Sequence, residues 1–158
     1  MQRASDIVHQ VTKTALIIIL SVMALVVFLQ VIFRYALSLP LFWTEEFARY
    51  CLVWSSLLGA AVAMKRGQHL AVTICMERFP PGLRRVLSVV ARLSVIIILT
   101  VIVLGGIQLV FVTRAQISPA LRVSMAIPYL AVPVGAAIML FHAIVFLFQP
   151  TSRADTDC

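Results

Sequence analysis

The apolar run Thr14-Ala-Leu-Ile-Ile-Ile-Leu-Ser-Val-Met-Ala-Leu-Val-Val-Phe-Leu-Gln-Val-Ile-Phe33 indicates where this chain folds. None of its 20 residues is charged, and Gln30 is its only side-chain amide. As an α-helix these residues rise about 1.5 Å each and reach about 30 Å, which is the thickness of the hydrocarbon core of a bilayer. The stretch therefore predicts a transmembrane helix over about 14–35.

A cleavable signal peptide is the alternative for this segment, because residues 36–38 (Ala-Leu-Ser) loosely resemble a cleavage site. Signal peptides have apolar cores of about 7–15 residues, however. Here the apolar run is longer, and Arg34 stands between it and that site. We therefore interpret the segment as a helix that stays in the protein.

The composition of the whole chain is typical of a membrane protein. Of its 158 residues, 62% are hydrophobic and 12% are charged, and the mean hydropathy is +1.06. Soluble domains carry about 25% charged residues. The excess of 13 Lys and Arg over 6 Asp and Glu could suggest nucleic acid, but nearly all these charges stand at the ends of apolar segments. That placement is typical of membrane topology and of contact with phospholipids, so we expect lipid partners and no nucleic acid.

Three further apolar segments predict transmembrane helices over about 43–65, 85–113 and 127–149. The last of them contains prolines. Pro128 suits the first turn of a helix, and Pro133 is expected to kink the helix further in.

The second predicted span needs charged residues in its first turns. The uncharged run from Tyr50 to Met64 is too short to cross a bilayer alone. Starting the helix at Trp43 or Thr44 supplies the missing length, and Thr44 is a plausible N-cap.

The connection between the second and third spans is amphipathic. His69, Thr73 and Glu77 recur every four residues, and mostly apolar residues lie between them. The pattern predicts a short interfacial helix over about 69–79, with an ordinary loop as the alternative. The sequence thus predicts an all-α membrane protein in a single domain, residues 1–158, with four transmembrane helices and one amphipathic interfacial helix.

The distribution of Lys and Arg predicts the orientation. Positive residues are more numerous near the beginning of the chain and in the 65–85 connection than in the connections 35–43 and 114–126. Because positive residues are enriched on the cytoplasmic side of membranes, both termini are expected in the cytoplasm.

Arg34, Glu45, Glu46 and Arg49 are the charged residues at the adjoining ends of the first two spans. Paired acids in a membrane can form a proton or cation pathway. They can also be structural: Glu45 and Arg49 have the spacing of a helical ion pair, and Arg34 could pair with Glu46. Because these charges balance near the interface, beside Trp43, we favour an anchor between helices or to a partner.

Four other residues are candidates for packing or for contact with a partner. Gln30 is polar inside an apolar segment and is expected to bond to a neighbouring helix. Trp54 is interpreted as a packing residue. His69 and His142 lack a second ligand at metal-binding spacing, so we interpret both as interfacial or packing residues and expect no metal or cofactor site.

Catalytic motifs do not stand out in the sequence. It has no His-Glu-x-x-His motif, no close pair of cysteines, and no intramembrane serine beside a plausible base. We therefore do not expect an enzyme. The first half of the chain does not resemble the second, so the inverted repeat of many self-sufficient transporters is missing too. These features indicate a part of a larger assembly.

One longer pattern lies between residues 30 and 69. It consists of Gln30-Val-Ile-Phe-Arg34-Tyr35, Pro40-Leu-Phe-Trp43-Thr-Glu45-Glu46-Phe-Ala-Arg49-Tyr50, Trp54, Gly59-Ala-Ala61 and Arg66-Gly-Gln-His69. This pattern resembles a known family, the small membrane subunit (Q-type) of tripartite ATP-independent periplasmic (TRAP) transporters. A looser likeness, including Ser124-Met-Ala-Ile-Pro128-Tyr129, extends over nearly the whole chain.

The resemblance implies a bacterial inner-membrane system of three parts. A periplasmic binding protein captures a substrate, usually an organic acid. A large membrane subunit of many helices holds the substrate and sodium sites, and the small subunit binds and supports it. Sodium is thus expected in the large partner and not in this chain.

A stand-alone small four-helix transporter or channel is the alternative function. Small four-helix exporters need an acidic residue near the midplane of their first helix, and residues 14–33 contain none. The sequence therefore favours the supporting subunit.

Overall fold

The computed structural model describes residues 2–36, 38, 41–67 and 81–147, and most of them are helical. The helices are α1 (Gln2–Tyr35), α2 (Phe42–Gly67), α3 (Pro81–Thr113), α4 (Ala126–Tyr129) and α5 (Ala131–Leu147). Within these described residues four stretches are long and apolar enough to cross a membrane. They are Ser5–Tyr35, Phe42–Lys65, Val89–Thr113 and Ala126–Val145. The predicted all-α, four-span fold is confirmed, whereas the interfacial helix expected over 69–79 lies outside the described residues.

The first helix is longer than the apolar run that predicts it. It begins at Gln2 and not near residue 14. The added turns carry polar side chains, but Ser5 and Thr12 are almost fully buried against the rest of the protein. Thr12 also donates a hydrogen bond to the carbonyl oxygen of Val8, at 2.8 Å. A run of residues without charges indicates only the part of a helix that lies in lipid. It does not indicate the turns whose polar side chains are covered by other helices.

The fourth span is interrupted between α4 and α5. Leu130 keeps a right-handed helical backbone, and its N–H donates to the carbonyl oxygen of Ala126 at 2.8 Å. Pro133 has no N–H to donate to the carbonyl of Tyr129, four residues earlier, so the regular ladder breaks at this point. The interruption thus lies close to Pro133, the residue at which the sequence predicts a kink.

The helices pack in an open row. The extensive contacts join α1 to α2, α2 to α5, and α5 to α3, while α1 has a smaller contact with α5. The two outer members of the row, α1 and α3, share no extensive contact. A row of this kind leaves both outer helices with broad faces that no other described helix covers.

Small residues allow close approach inside the row. Ala61 on α2 and Ala136 on α5 are fully buried. A β-carbon added to Gly135 would lie only 2.9 Å from Cβ of Leu57, so α5 and α2 are nearly in backbone contact there. Small residues at helix contacts are typical of membrane proteins, because dispersion contacts replace the hydrophobic effect between helices in lipid.

The outer helices expose large apolar side chains. Phe28 on α1 is 63% exposed, and Leu104 on α3 is 64% exposed. Exposed apolar faces of this extent would be costly in water, whereas hydrocarbon or a second membrane protein can cover them.

Candidate functional site

The charged residues expected at the ends of the first two spans lie at one end of the row. We call this the connector end, because it carries the chain around residues 36–41 and the connection 114–125. The opposite end, with residues 2–13 and 61–67, is called the terminal end.

Glu46 ties α2 to the connection 114–125. Its Oε2 accepts hydrogen bonds from the backbone N–H groups of Ala120, at 3.0 Å, and Leu121, at 2.9 Å. Its Oε1 accepts a hydrogen bond from the hydroxyl of Tyr50, at 2.5 Å. Charge-assisted bonds of this kind are stronger than neutral ones. One carboxylate thus fixes a segment that lies more than 70 residues further along the chain.

The connection that Glu46 holds is a compact hairpin. An antiparallel bridge pairs Ile117 with Ser124, and the N–H of Ser118 donates to the carbonyl oxygen of Val123 at 2.9 Å. Arg122 takes a φ of 53°, the left-handed conformation that lets the chain reverse. The hairpin is therefore held by its own backbone bonds as well as by Glu46.

Glu45 makes the contact between α1 and α2 at this end. Its Oε1 accepts a long hydrogen bond, 3.4 Å, from the side-chain amide of Gln30. Gln30 was expected to bond to a neighbouring helix, and in the structure it contacts the first turns of α2.

The expected ion pairs are wrong. Among the described residues, neither Glu45 with Arg49 nor Arg34 with Glu46 forms an ion pair within 4.0 Å. Glu46 instead takes its donors from the hairpin, and Arg34 and Arg49 are exposed. The i, i+4 spacing allows a pair but adds only a few tenths of a kcal/mol on an exposed helix face, so it does not compel one.

Thr44 does not have the predicted role of an N-cap. The helix begins at Phe42, and the Thr44 hydroxyl donates to the carbonyl oxygen of Leu41 at 2.6 Å. It therefore does not cap the amide groups of the first turn. Its side chain is almost fully buried.

The remaining candidates are spread over the chain. Trp43 is 43% exposed at the connector end, and Trp54 is half-buried further along α2. His69 lies outside the described residues. The structure therefore brings Gln30, Glu45 and Arg34 together, and it separates Trp54 from them by more than two helical turns.

A second polar cluster lies at the terminal end, and the sequence interpretation missed it. Nζ of Lys65 and Oδ1 of Asp6 form an ion pair at 2.6 Å. Oγ of Ser5 and Nδ1 of His142 lie 3.0 Å apart and share a hydrogen bond. The ring of His9 stands edge-on to that of His142, with centroids 6.5 Å apart. These contacts join α1 to both α2 and α5.

A signal for this cluster exists in the sequence. Ser5, His9 and Thr12 have the i, i+4, i+7 spacing of one helix face. A polar face on a helix of a membrane protein points to contacts with other helices, because lipid offers polar groups no partners.

Both clusters consist of hydrogen bonds and one ion pair that join neighbouring elements. The part of the chain that the structure describes contains no group of three His, Cys, Asp or Glu residues that could hold a metal ion. The arrangement of hydrogen bonds can position helices and a hairpin at the membrane surface.

Comparison with known proteins gives the same family as the sequence pattern. The profile of the family "Tripartite ATP-independent periplasmic transporters, DctQ component" matches residues 23–153. A Haemophilus influenzae protein, provisionally named as a TRAP transporter small permease protein, is 31% identical over 143 residues, which are 87% of this chain and 86% of that protein.

Two other relatives carry more specific names. The sialic acid TRAP transporter small permease protein SiaQ of Vibrio cholerae is 28% identical over 73% of this chain and 67% of its own length. The isethionate TRAP transporter permease protein DctMQ of Oleidesulfovibrio alaskensis is 30% identical over 61% of this chain but only 16% of its own length.

Proposed function

From the premise that this chain belongs to the DctQ component family of TRAP transporters and is a small permease subunit, we propose that it supports a separate large membrane subunit. The large subunit carries out sodium-driven uptake of an organic acid, which a periplasmic binding protein delivers. The substrate and sodium sites belong to the large subunit.

The observation that carries this proposal is the open row of helices. Its outer helices, α1 and α3, expose apolar faces, and its tight contacts lie inside the row between α2, α5 and α3. A row can extend the flank of a larger helical protein, whereas a closed pore of four helices would need α1 to meet α3. We infer that the row enlarges the fixed frame against which the moving part of the large subunit works.

The position of the charges supports the same function. Charged side chains are absent from residues 14–33, 50–64, 93–113 and 123–147. Transporters that carry ions or organic acids place polar or ionisable groups near the bilayer midplane. Here the two acids of α2, Glu45 and Glu46, lie at its beginning and are bonded to Gln30 and the hairpin.

The isethionate relative supports the choice of partner. Its name describes a permease protein, and the region similar to this chain occupies 16% of its length. The small unit of that protein therefore shares one polypeptide with a much larger remainder. For this chain, we propose the equivalent association between separate subunits.

The same reasoning gives a proposed orientation. With both termini in the cytoplasm of a bacterial cell, the connector end faces the periplasm. The hairpin 114–125 and the chain around residue 38 are then available to the periplasmic binding protein.

Co-purification tests the association. The chain is expressed with an affinity tag together with a large TRAP membrane subunit from the same organism, and the membranes are solubilised in mild detergent. Recovery of the two subunits in a constant ratio supports the proposal. Recovery of the tagged chain alone, from membranes shown to contain the large subunit, would contradict it.

A further inference from the structure

A cleft opens at the connector end between the end of α1 and the start of α2. Its volume is about 360 Å³, which falls within the range of roughly 300–1,000 Å³ of small-molecule sites. Both polar and apolar side chains line it. They are Gln30, Arg34, Ser38, Leu41, Phe42 and Glu45. We call it the connector cleft.

The connector cleft presents two opposite charges that do not neutralise each other. Arg34 forms no hydrogen bond or ion pair with any described residue, and it is not within 4.0 Å of Glu45. Glu45 uses Oε1 to accept the bond from Gln30, and its Oε2 has no partner among the described residues. A ligand with one anionic and one cationic group would satisfy both side chains.

The depth of the cleft restricts the kind of ligand. Arg34 lies in the last turn of the span Ser5–Tyr35, and Phe42 begins the span Phe42–Lys65. The cleft is therefore level with the boundary between hydrocarbon and headgroups, where Arg side chains commonly reach the interface. Soluble zwitterions would have to enter from water alone, whereas lipid headgroups are concentrated at this level.

The helix surface beside the cleft suits an acyl chain. Val27 and Val31 stand seven and three residues before Arg34, on the same face of α1. Their side chains are 40% and 49% exposed. A lipid with its headgroup in the cleft can lay a hydrocarbon chain along these residues towards the bilayer centre.

We propose that the connector cleft binds a phospholipid whose headgroup carries a phosphate and a primary ammonium. The planar guanidinium of Arg34 holds the phosphate through paired N–H donors. The primary ammonium has three N–H donors and bonds to the free oxygen of Glu45. A quaternary ammonium has no N–H to donate, so a choline headgroup loses this second bond.

The proposal goes beyond the role of the chain in transport, since lipid binding at this cleft requires neither a substrate nor sodium. A negative result for lipid binding therefore leaves the proposed support of the large subunit unaffected, and a negative result for that support leaves lipid binding unaffected. The full chain can be tested in detergent, because the cleft is built from its own residues.

Native mass spectrometry with short-chain phospholipids provides the test. The phosphatidylethanolamine should bind at least about fivefold more tightly than the phosphatidylcholine of the same chains, because one charge-assisted bond is lost. Phosphatidylglycerol, which offers the phosphate without an ammonium, should also bind more weakly. Equal affinities for the three lipids, or tightest binding of phosphatidylglycerol, would overturn the proposal.

Substitutions in the cleft identify the two contacts. Glu45→Gln should remove the preference for ethanolamine over choline, and Arg34→Gln should weaken all phospholipids. Arg49→Gln is the matched control, because Arg49 is exposed at the same end but does not line the cleft. If Arg49→Gln has the same effect as Arg34→Gln, the binding reflects general charge and the proposal fails.

Two further outcomes would also overturn the proposal. Soluble phosphoethanolamine that competes with the lipid at equal concentration would make the cleft a site for a free zwitterion. In the second outcome, Arg34→Gln and Glu45→Gln leave lipid binding unchanged but reduce co-purification of the large subunit. That result would assign the cleft to the contact between subunits.

Discussion

Oε2 of Glu46 lies 2.9 Å from the backbone nitrogen of Leu121, although 75 residues separate the two along the chain. This bond and its neighbour at Ala120 close the connector end. They attach the second transmembrane helix to the hairpin between the third and fourth spans. The hairpin is thereby held at the beginning of α2, which faces a periplasmic partner in the orientation proposed above.

Glu46→Ala is predicted to loosen the hairpin without unfolding the helices. The substitution removes the acceptor of two backbone N–H groups, which then open more easily to solvent. Hydrogen exchange of peptides covering 114–125 should become faster by at least about threefold, with little change in peptides from α3 or α5.

Glu45→Ala is the matched control for Glu46→Ala, because Glu45 is the adjacent acid and bonds to Gln30 on α1. Exchange in the hairpin should be unchanged in this variant. Equal acceleration in both variants would mean that the hairpin responds to the loss of charge, and would contradict the specific role of Glu46.

Gly106→Val is predicted to destabilise the packing of α3 on α5. A β-carbon at residue 106 would lie 3.0 Å from Cδ of Pro133 and 3.1 Å from its nitrogen, and a rigid ring gives little room. Overpacking of this kind costs about 1–3 kcal/mol. The thermal unfolding midpoint in detergent should fall accordingly.

The neighbouring glycine provides the control for this substitution. A β-carbon at Gly105 would meet no atom within 4 Å. Gly105→Val should therefore leave the midpoint nearly unchanged. Both substitutions alter helix propensity alike, so the difference between their midpoints reports the contact with Pro133. A fall of the same size in both variants would show that propensity, and not the contact with Pro133, is responsible.

The sequence predicts the membrane spans well because lipid restricts what can lie in it. Residues 14–33 and 93–113 have to be helical when hydrocarbon surrounds them, since each backbone polar group then needs a partner in its own segment. The same reasoning does not apply to residues 2–13. Their helix depends on contacts with α2 and α5, and no local pattern shows which helix packs beside them.

The candidate site could be predicted only in part. The residues at the connector end were identified because charges are rare near membrane spans, but their partners were not. Glu46 had Arg34 as a plausible local partner, and it bonds instead to backbone groups of Ala120 and Leu121. The sequence does not indicate which backbone N–H groups a side chain will bind, because every residue except proline has one.

Ser5→Ala is predicted to destabilise the terminal end by about 1–3 kcal/mol, because it leaves Nδ1 of buried His142 without its hydrogen bond. Ser5→Ala combined with His142→Phe should cost less than the sum of the two single substitutions. The midpoints of thermal unfolding in detergent, measured for all four proteins of the cycle, give the coupling.

Ser56→Ala serves as the control for Ser5→Ala. The hydroxyl of Ser56 is exposed and donates only to the carbonyl oxygen of Val53 in its own helix, at 2.9 Å. Its removal should change stability by less than about 0.5 kcal/mol. Additive effects of Ser5→Ala and His142→Phe would show that the two side chains are not energetically linked.

Reporter fusions test the proposed orientation. A reporter enzyme that works only in the cytoplasm should be active when fused at Asp155. A reporter enzyme that works only in the periplasm should be active when inserted after Leu39. The reason is the excess of Lys and Arg near the beginning of the chain and in the 65–85 connection. The reverse pattern of activities would place the connector end in the cytoplasm and remove the hairpin from contact with a periplasmic protein.

The uptake of a radiolabelled organic acid into liposomes with an inward sodium gradient tests most directly that this chain is a supporting subunit. Three preparations are compared: the chain alone, the chain with its large membrane subunit and periplasmic binding protein, and empty vesicles. We predict uptake by the complete set, with the substrate that its binding protein recognises. The chain alone should give no more than empty vesicles, because its row of helices carries no charged group near the midplane. Uptake by the chain alone, above the level of empty vesicles and dependent on sodium, would contradict the supporting role.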